Sequence, residues 1–274
     1  MNSQPATSGF LDVAGGRLAY EVAGSGHPLL LIHAAVADMR MWESEFAFFA
    51  QSYRVIRYDT RGFGQTTSAD GPCSDMHDIA DLLQHLGVTR TAVVGLSNGG
   101  RLAIDFTLAH PELVDALVAV APGISGHEGP ATEVKLRIFA EYERLKTLQD
   151  RADLTNLAVH VWCDGPMQPE GRAATQVRDR VREMITNNAR LHLEQLQRQP
   201  LAPPAEQRLG EIQVPTLGIV GDLDFSDALE AIAFLTAQVQ GAQQVIFPNT
   251  AHMVNMEQPE RFQQVVAAFL AGAV

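Results

Sequence analysis

The sequence is poor in cysteine, in basic residues and in long apolar runs. Its 274 residues include two cysteines, Cys73 and Cys163, which lie far apart and match no metal-binding spacing. Two reduced thiols are therefore favoured over a disulfide. Twenty Lys and Arg against thirty-two Asp and Glu give a formal net charge of −12, which disfavours binding to nucleic acid or to an anionic membrane surface. No apolar run approaches the ~18 residues that a spanning helix requires.

The first residues, 1–8, contain neither a basic stretch nor an apolar run. We therefore expect no secretory signal and a cytoplasmic protein. Apolar residues make up 46% of the chain and charged residues 19%, a balance that is ordinary for a packed globular protein.

Short apolar runs alternate with longer amphipathic ones in residues 1–122 and again after residue 210. Two of the runs, Phe10–Ala14 and Leu18–Ala23, predict a β-hairpin across two glycines. Six more predict buried strands, at Leu29–His33, Arg54–Tyr58, Thr91–Gly95, Leu117–Val120, Thr216–Val220 and Gln244–Phe247. Helical patterns separate or follow them, at Met41–Phe49, Met76–Leu86, Arg101–Leu108, Ala228–Val239 and Arg261–Leu270. This alternation predicts an α/β fold with a mostly parallel eight-stranded sheet flanked by helices.

Residues 123–210 interrupt that alternation. No convincing strand run occurs there, and the pattern predicts helices at Glu133–Leu148, Asp153–Val161, Gln176–Asn187 and Leu191–Gln197. Twelve basic and twelve acidic residues balance each other in this stretch, whereas the rest of the chain carries the whole net charge. We therefore predict that residues 1–122 and 211–274 form the core and that residues 123–210 form an inserted helical lid, which we call the lid segment.

A candidate nucleophile follows the predicted strand Thr91–Gly95. The sequence Gly-Leu-Ser-Asn-Gly around Ser97 matches the G-x-S-x-G elbow, in which a sharp strand-to-helix turn exposes a serine above the sheet edge. The two glycines lie where a Cβ would collide with neighbouring backbone as the chain reverses. Because a strand precedes the motif and a helical run follows it, we predict that Ser97 is a nucleophile rather than a residue of an ordinary glycine-rich turn.

A serine hydroxyl needs a base, and that base needs an orienting acid. His252 follows the last predicted strand, and Asp222 and Asp224 follow the strand before it. The carboxyl ends of parallel strands share one sheet edge, so these side chains and Ser97 should converge there. Spacing alone leaves the acid open among Asp222, Asp224 and Asp227, of which the last could instead cap a helix.

An oxyanion would need two backbone N–H donors. One should be the N–H of Asn98, directly after the nucleophile and near a helix N-terminus. The other should come from the loop after the strand Leu29–His33. This makes His33 a residue that shapes the loop rather than a base.

Together these motifs resemble the α/β-hydrolase family along essentially the whole chain. The motifs that carry the resemblance are the strand ending at His33, the turn Tyr58–Gly64, the elbow at Ser97, the loop Gly221–Asp224 and the pair Ala251-His252. The resemblance implies an α/β-hydrolase fold with Ser97, Asp224 and His252 as the catalytic residues. It also implies that the second oxyanion amide belongs to Ala35.

The same resemblance implies structural rather than catalytic roles for Asp59 and Arg61. The sequence departs from the family at Ala34, where a glycine is usual, and the added Cβ restricts the backbone that presents the oxyanion amide. Because residue 97 is serine rather than aspartate, the family's haloalkane dehalogenase and epoxide hydrolase chemistries are disfavoured.

Within the family the chain resembles small-lid enzymes that hydrolyse carboxylic esters and enol-lactones, and their carbon–carbon-bond hydrolase relatives. We expect hydrolysis of a small-molecule ester or lactone, with no cofactor and no metal. Three alternative functions stay open: cleavage of a β-diketone-like substrate, perhydrolase or non-haem haloperoxidase-type activity, and a non-catalytic ligand receptor. A homo-oligomer also stays open. Trp162, beside a turn in the lid segment, is expected either to face the substrate or to pack the lid onto the core.

Overall fold

The computed structural model describes residues 6–188 and 196–274. Its strands are β1 (Thr7–Val13), β2 (Gly16–Ala23), β3 (His27–Ile32), β4 (Tyr53–Tyr58), β5 (Thr67–Ser68), β6 (Gly71–Cys73), β7 (Thr91–Leu96), β8 (Val114–Val120), β9 (Leu196–Arg198), β10 (Thr216–Gly221) and β11 (Gln243–Phe247). Its helices are α1 (Glu43–Phe49), α2 (Asp75–His85), α3 (Asn98–Ala109), α4 (Glu133–Thr147), α5 (Arg151–Val159), α6 (Thr175–Asn188), α7 (Ser226–Gln238), α8 (Val254–Glu257) and α9 (Pro259–Ala273).

The main sheet has the order β1-β2-β4-β3-β7-β8-β10-β11. The β1–β2 hairpin and the β2–β4 pair are antiparallel, and every later neighbour along this order is parallel. The predicted α/β fold with a mostly parallel eight-stranded sheet is thus confirmed, and β5 adds a short ninth strand beside β2.

Two apolar layers sandwich the sheet, and β3 shows how its sequence builds both. Leu29 and Leu31 pack in one layer, which also contains Trp42 and Phe262. Leu30 and Ile32 pack in the other layer, because successive side chains of a strand point to opposite faces. Burying each such side chain stabilises the fold by about 1.5–3 kcal/mol. This explains why an unbroken apolar run predicts a central strand.

The lid segment contains α4, α5 and α6, close to three of the four predicted helices. Residues 191–195 of the fourth predicted helix lie outside the described part of the chain, and its last two residues belong to β9. The expectation that the segment contains no strand is wrong, because β9 pairs in parallel with β6. A three-residue strand is too short to show alternation, and its partner is remote in sequence.

One edge of the sheet collects the candidate site residues. The carboxyl ends of β3, β7, β8, β10 and β11 all lie at this edge, since these strands are parallel neighbours. Within residues 6–188 and 196–274, no helix has the length and apolar character needed to cross a membrane.

Candidate active site

Ser97 occupies the sharp turn between β7 and α3. Its backbone has φ 59° and ψ −116°, a left-handed conformation that costs a non-glycine residue free energy and is characteristic of functional sites. The neighbouring glycines make the turn possible: a Cβ on Gly95 would lie 2.1 Å from the carbonyl oxygen of Gly99, and one on Gly99 would lie 2.2 Å from that of Ile32. The serine side chain makes no capping hydrogen bond to α3, so its hydroxyl does not cap the N-terminus of the helix.

Asp224 and His252 are joined directly. The Nδ1–H of His252 donates to Oδ2 of Asp224 over 2.6 Å, and both side chains are buried. The other carboxylate oxygen, Oδ1, accepts a hydrogen bond from the N–H of Phe225 at 2.7 Å. With Nδ1 protonated, the neutral imidazole presents Nε2 as its acceptor, which is the tautomer that a general base requires.

The two competing carboxylates have other partners. Asp222 Oδ1 accepts a hydrogen bond from the N–H of Thr250 at 3.3 Å, so it supports the histidine loop without contacting the imidazole. Asp227 forms an ion pair with Lys135 at 2.7 Å. Of the three carboxylates that spacing left open, Asp224 is the one hydrogen-bonded to His252.

Ser97, Asp224 and His252 line one cavity of about 190 Å³, which we call the serine cavity. Trp162, Phe139 and Lys135 line it from the lid segment. The structure therefore brings the three residues, distant in sequence, to the same space at the carboxyl edge of the sheet.

The loop after β3 is held by His33. The Nδ1–H of this buried side chain donates to the carbonyl oxygen of Ala34 at 2.8 Å, and its Nε2 accepts from the N–H of Thr60 at 3.0 Å. Burial lowers the pKa of His33, so the ring stays neutral and both hydrogen bonds persist. His33 thus shapes the loop. The backbone φ angle of Ala34 is not positive, so the Cβ of Ala34 is compatible with the loop backbone.

Ala35 and Asn98, the two predicted oxyanion donors, are not among the residues that line the serine cavity. Asn98 is the first residue of α3, and the first N–H groups of a helix have no partner within it. Ala35 is exposed and lines a second, mainly apolar cavity of about 210 Å³, which we call the loop cavity. Tyr142, Leu154, Ile185 and Arg151 also line the loop cavity.

Trp162 combines the two positions expected for it. It lies in a π-helical turn, His160–Asp164, that follows α5. Its ring centroid is 4.6 Å from that of His252 and 5.6 Å from that of Phe225. Trp162 therefore both lines the serine cavity and packs the lid segment against the core beside the imidazole.

Sequence reasoning missed a cluster of ionisable side chains at the wall of the serine cavity. His127 contacts Glu230 at 2.8 Å and Glu206 at 3.2 Å, and its ring stacks on Phe234 with the centroids 4.3 Å apart. The hydrogen bond to Glu230 is the main reason that the pKa of His127 is raised. Its carboxylate partners are distant in sequence, so no local pattern could have revealed the cluster.

Asp59 and Arg61 have structural partners. Asp59 accepts hydrogen bonds from the N–H groups of Met39 and Gln65, both at 2.8 Å. Arg61 forms a buried ion pair with Asp78 at 2.6 Å. In the described part of the chain, no group of three or more His, Cys, Asp or Glu side chains is arranged to hold a metal ion.

Comparison with known proteins agrees with the fold. Residues 27–259 match the family model described as the alpha/beta hydrolase fold. Because this match spans most of the chain, the protein belongs to the α/β-hydrolase family.

Individual relatives have several activities. The chain is 29% identical to the 2-hydroxy-6-oxononadienedioate/2-hydroxy-6-oxononatrienedioate hydrolase of Paraburkholderia phymatum, over 98% of this chain and 97% of the relative. A hydrolase structure from Pseudomonas aeruginosa is 26% identical, with a TM-score of 0.74 over 96% of this chain and 98% of the other. The enol-lactonase from Burkholderia xenovorans shares the fold, with 20% identity and a TM-score of 0.76 over 96% of this chain and all of the other.

Proposed function

We propose that the protein is a serine hydrolase that cleaves a small carboxylic ester or lactone through an acyl-enzyme. The observation that carries this proposal is the 2.6 Å hydrogen bond between His252 Nδ1 and Asp224 Oδ2, at the cavity that Ser97 also lines. An imidazole held in this tautomer is suited to take a proton from a serine hydroxyl.

The reaction has two halves. As the Ser97 Oγ attacks the substrate carbonyl carbon, His252 Nε2 takes the hydroxyl proton, and the N–H groups of Ala35 and Asn98 stabilise the oxyanion. Collapse of this intermediate breaks the bond to the leaving alkoxide, which receives the proton from His252. Water then attacks the acyl-serine, again losing a proton to His252, and the second collapse releases the acid and restores the serine hydroxyl. Asp224 stabilises the imidazolium in both halves.

The charges around the serine cavity support a neutral substrate. Lys135 lines the cavity and is paired with Asp227 at 2.7 Å, and His127, which also lines it, is paired with Glu230 at 2.8 Å. A neutral ester or lactone needs no further cation there, whereas a dicarboxylate would have to compete with Asp227 for the ammonium group.

A second candidate is hydrolysis of a carbon–carbon bond in a β-diketone-like or carboxylated substrate. The name of the Paraburkholderia phymatum relative, a dienedioate hydrolase, favours it. So does Arg151, whose guanidinium group could pair with a substrate carboxylate at the loop cavity. In this case the same serine would attack a ketone, and the leaving group would be a carbanion that needs a proton.

The test compares an ester series of increasing acyl length, a γ-lactone and a carboxylated vinylogous 1,5-diketone, using wild type, Ser97→Ala and Arg151→Gln. Ester or lactone turnover that disappears in Ser97→Ala and is unchanged in Arg151→Gln supports the first candidate. If wild type turns over the diketone faster than the esters and the lactone, and the KM for the diketone rises in Arg151→Gln, the second candidate is supported instead.

A serine-directed fluorophosphonate separates both candidates from the remaining alternatives. It should label wild type and leave Ser97→Ala unlabelled. An unlabelled wild type that still binds small ligands would favour a receptor, and peracid formation from acetate and peroxide would favour perhydrolysis.

A further inference from the structure

Arg172, in the lid segment, connects the turn that carries Trp162 to the loop that carries His252. Its Nε donates to the carbonyl oxygen of Asp164 at 2.5 Å, and its Nη2 donates to that of Cys163 at 2.8 Å. Its Nη1 donates across to the carbonyl oxygen of Asn249 at 3.0 Å. One planar guanidinium group therefore fixes the end of the π-helical turn relative to the start of the histidine loop.

Glu257 extends this connection to the residue next to His252. Its Oε2 forms an ion pair with Arg172 at 2.5 Å, and its Oε1 accepts a hydrogen bond from the N–H of Ala251 at 2.7 Å. Both carboxylate oxygens are thus engaged, one by the lid segment and one by the backbone immediately before the histidine.

The backbone of the histidine loop turns sharply where Arg172 holds it. Asn249 has φ 54°, in the left-handed region, which asparagine adopts more readily than other residues with a side chain. The ion pair is well shielded, with the side chains of Arg172 and Glu257 only 19% and 7% exposed. Shielded, charge-assisted hydrogen bonds of this kind are stronger and more geometrically demanding than exposed ones.

We propose that Arg172 is a positioning residue, which acts through Glu257 and Asn249 to fix the loop that orients His252 and, through the π-helical turn, places Trp162 against the imidazole. This inference rests on the proposed function, since it assumes that His252 is the base. It makes the lid segment part of the catalytic framework as well as a wall of the cavity. Misplacement of a catalytic group by about 1 Å can lower a rate by about a hundredfold, so loss of this link should reduce turnover more than substrate binding.

Arg178 offers a matched control. Its side chain has the same 19% exposure, and its ion-pair partners, Asp164 at 3.3 Å and Glu170 at 3.1 Å, both belong to the lid segment. Replacing Arg178 perturbs the lid segment without removing a contact to the histidine loop.

The experiment measures kcat, KM, thermal unfolding and the rate of inactivation by a fluorophosphonate for wild type, Arg172→Gln, Arg172→Lys, Glu257→Gln and Arg178→Gln. We expect kcat and the inactivation rate to fall roughly 10- to 100-fold in Arg172→Gln, with KM changed less than about threefold. Lysine should restore little of the rate, because one ammonium group cannot reach both the turn and the loop. Glu257→Gln should share the defect, and combining it with Arg172→Gln should add little further loss. Arg178→Gln keeps every contact to the histidine loop, so its kcat and inactivation rate should fall much less than those of Arg172→Gln.

If Arg172→Gln does not fold, Glu257→Gln decides the question, because it nearly preserves the shape of the side chain. Unchanged kcat and inactivation rates in the folded variants would overturn the inference while leaving the proposed function intact, as would equal losses in Arg178→Gln. Failure of the phosphonate to label wild type would instead overturn the proposed function, and this inference with it.

Discussion

The imidazole of His252 and the carboxylate of Asp224, 28 residues apart in sequence, are joined by a hydrogen bond of 2.6 Å in a buried setting. The neighbouring carboxylate of Asp222 bonds instead to the backbone of Thr250. Two aspartates on one loop thus support the same histidine loop, one through the ring and one through the backbone.

Asn substitutions should separate these two contributions. In Asp224→Asn the amide can no longer stabilise the imidazolium, and we expect kcat to fall by roughly a thousandfold or more. In Asp222→Asn the side-chain oxygen still accepts from Thr250, so the loss should stay below about tenfold. Steady-state kinetics on the best ester would show this order, and the reverse order would assign the orienting role to Asp222.

The lid aromatic should matter through its contact with the imidazole. Trp162→Phe keeps a ring against His252 and Phe225, whereas Trp162→Ala removes both contacts, each aromatic pair being worth about 0.5–1.5 kcal/mol. We expect kcat/KM to fall about tenfold in Trp162→Ala and much less in Trp162→Phe. Leu148→Ala, at a side chain 61% exposed in the lid segment, is the control and should behave as wild type. Equal activity of both Trp162 variants and wild type would remove Trp162 from the site.

Gly221 should be intolerant of a side chain because of the loop that it faces. A Cβ there would lie 2.1 Å from the carbonyl oxygen of Thr250, so Gly221→Ala must displace the histidine loop. We expect a loss of about 1–3 kcal/mol in the free energy of unfolding and a larger relative loss of kcat. In Gly218→Ala, on the same strand, the nearest atom would be a side-chain carbon of Ile232 at 3.1 Å, and its activity should be nearly normal. Similar kinetics for the two variants would argue against this contact.

A buried carboxyl group should give stability a specific pH dependence. Burial raises the pKa of Glu45 from 4.5 to about 7, against hydrogen bonds from Asn255 and Gln263. The folded state therefore keeps a proton that the unfolded state has released, so the stabilisation is complete below pH 4.5 and is lost as pH rises through 7. Its size is roughly 3 kcal/mol.

The measurement is the free energy of unfolding at pH 5, 6, 7 and 8 for wild type and Glu45→Gln. As pH rises, the free energy of unfolding of wild type should fall relative to that of Glu45→Gln. Phe48→Leu, at an exposed position on the same helix that carries no ionisable group, should show no such trend. A pH-independent difference for Glu45→Gln would contradict the raised pKa.

The sequence predicted those parts of the fold that local patterns determine. Unbroken apolar runs such as Leu29–His33 predict buried strands because both faces of the sheet are covered, and the glycines around Ser97 predict the elbow because a Cβ would clash there. The acid that bonds to His252 was harder to predict from spacing, since Asp222 and Asp224 follow the same strand. Only their side-chain hydrogen bonds show which of the two contacts the imidazole.

Other features depend on contacts that no local pattern encodes. The pairing of β9 with β6 joins short segments that are remote in sequence. The π-helical turn at Trp162 is held by Arg172 and by the buried Asp164, and nothing in its own five residues requires it. In the sequence, nothing distinguishes Arg172 from the other arginines of the lid segment. Its role becomes visible only through its contacts with Asn249 and Glu257.

The central claim is that Ser97 carries the acyl group during turnover. It is tested most directly by mixing the enzyme with a p-nitrophenyl ester, quenching in acid within milliseconds to seconds, and measuring the intact mass and the modified peptide. For wild type we predict that the peptide containing Ser97 gains the mass of the acyl group. Ser97→Ala should show no such increase, and in Asp224→Asn the increase should still be present in samples quenched at longer times. Turnover of the ester by Ser97→Ala at the wild-type rate, or an acyl group found on a different residue, would contradict it.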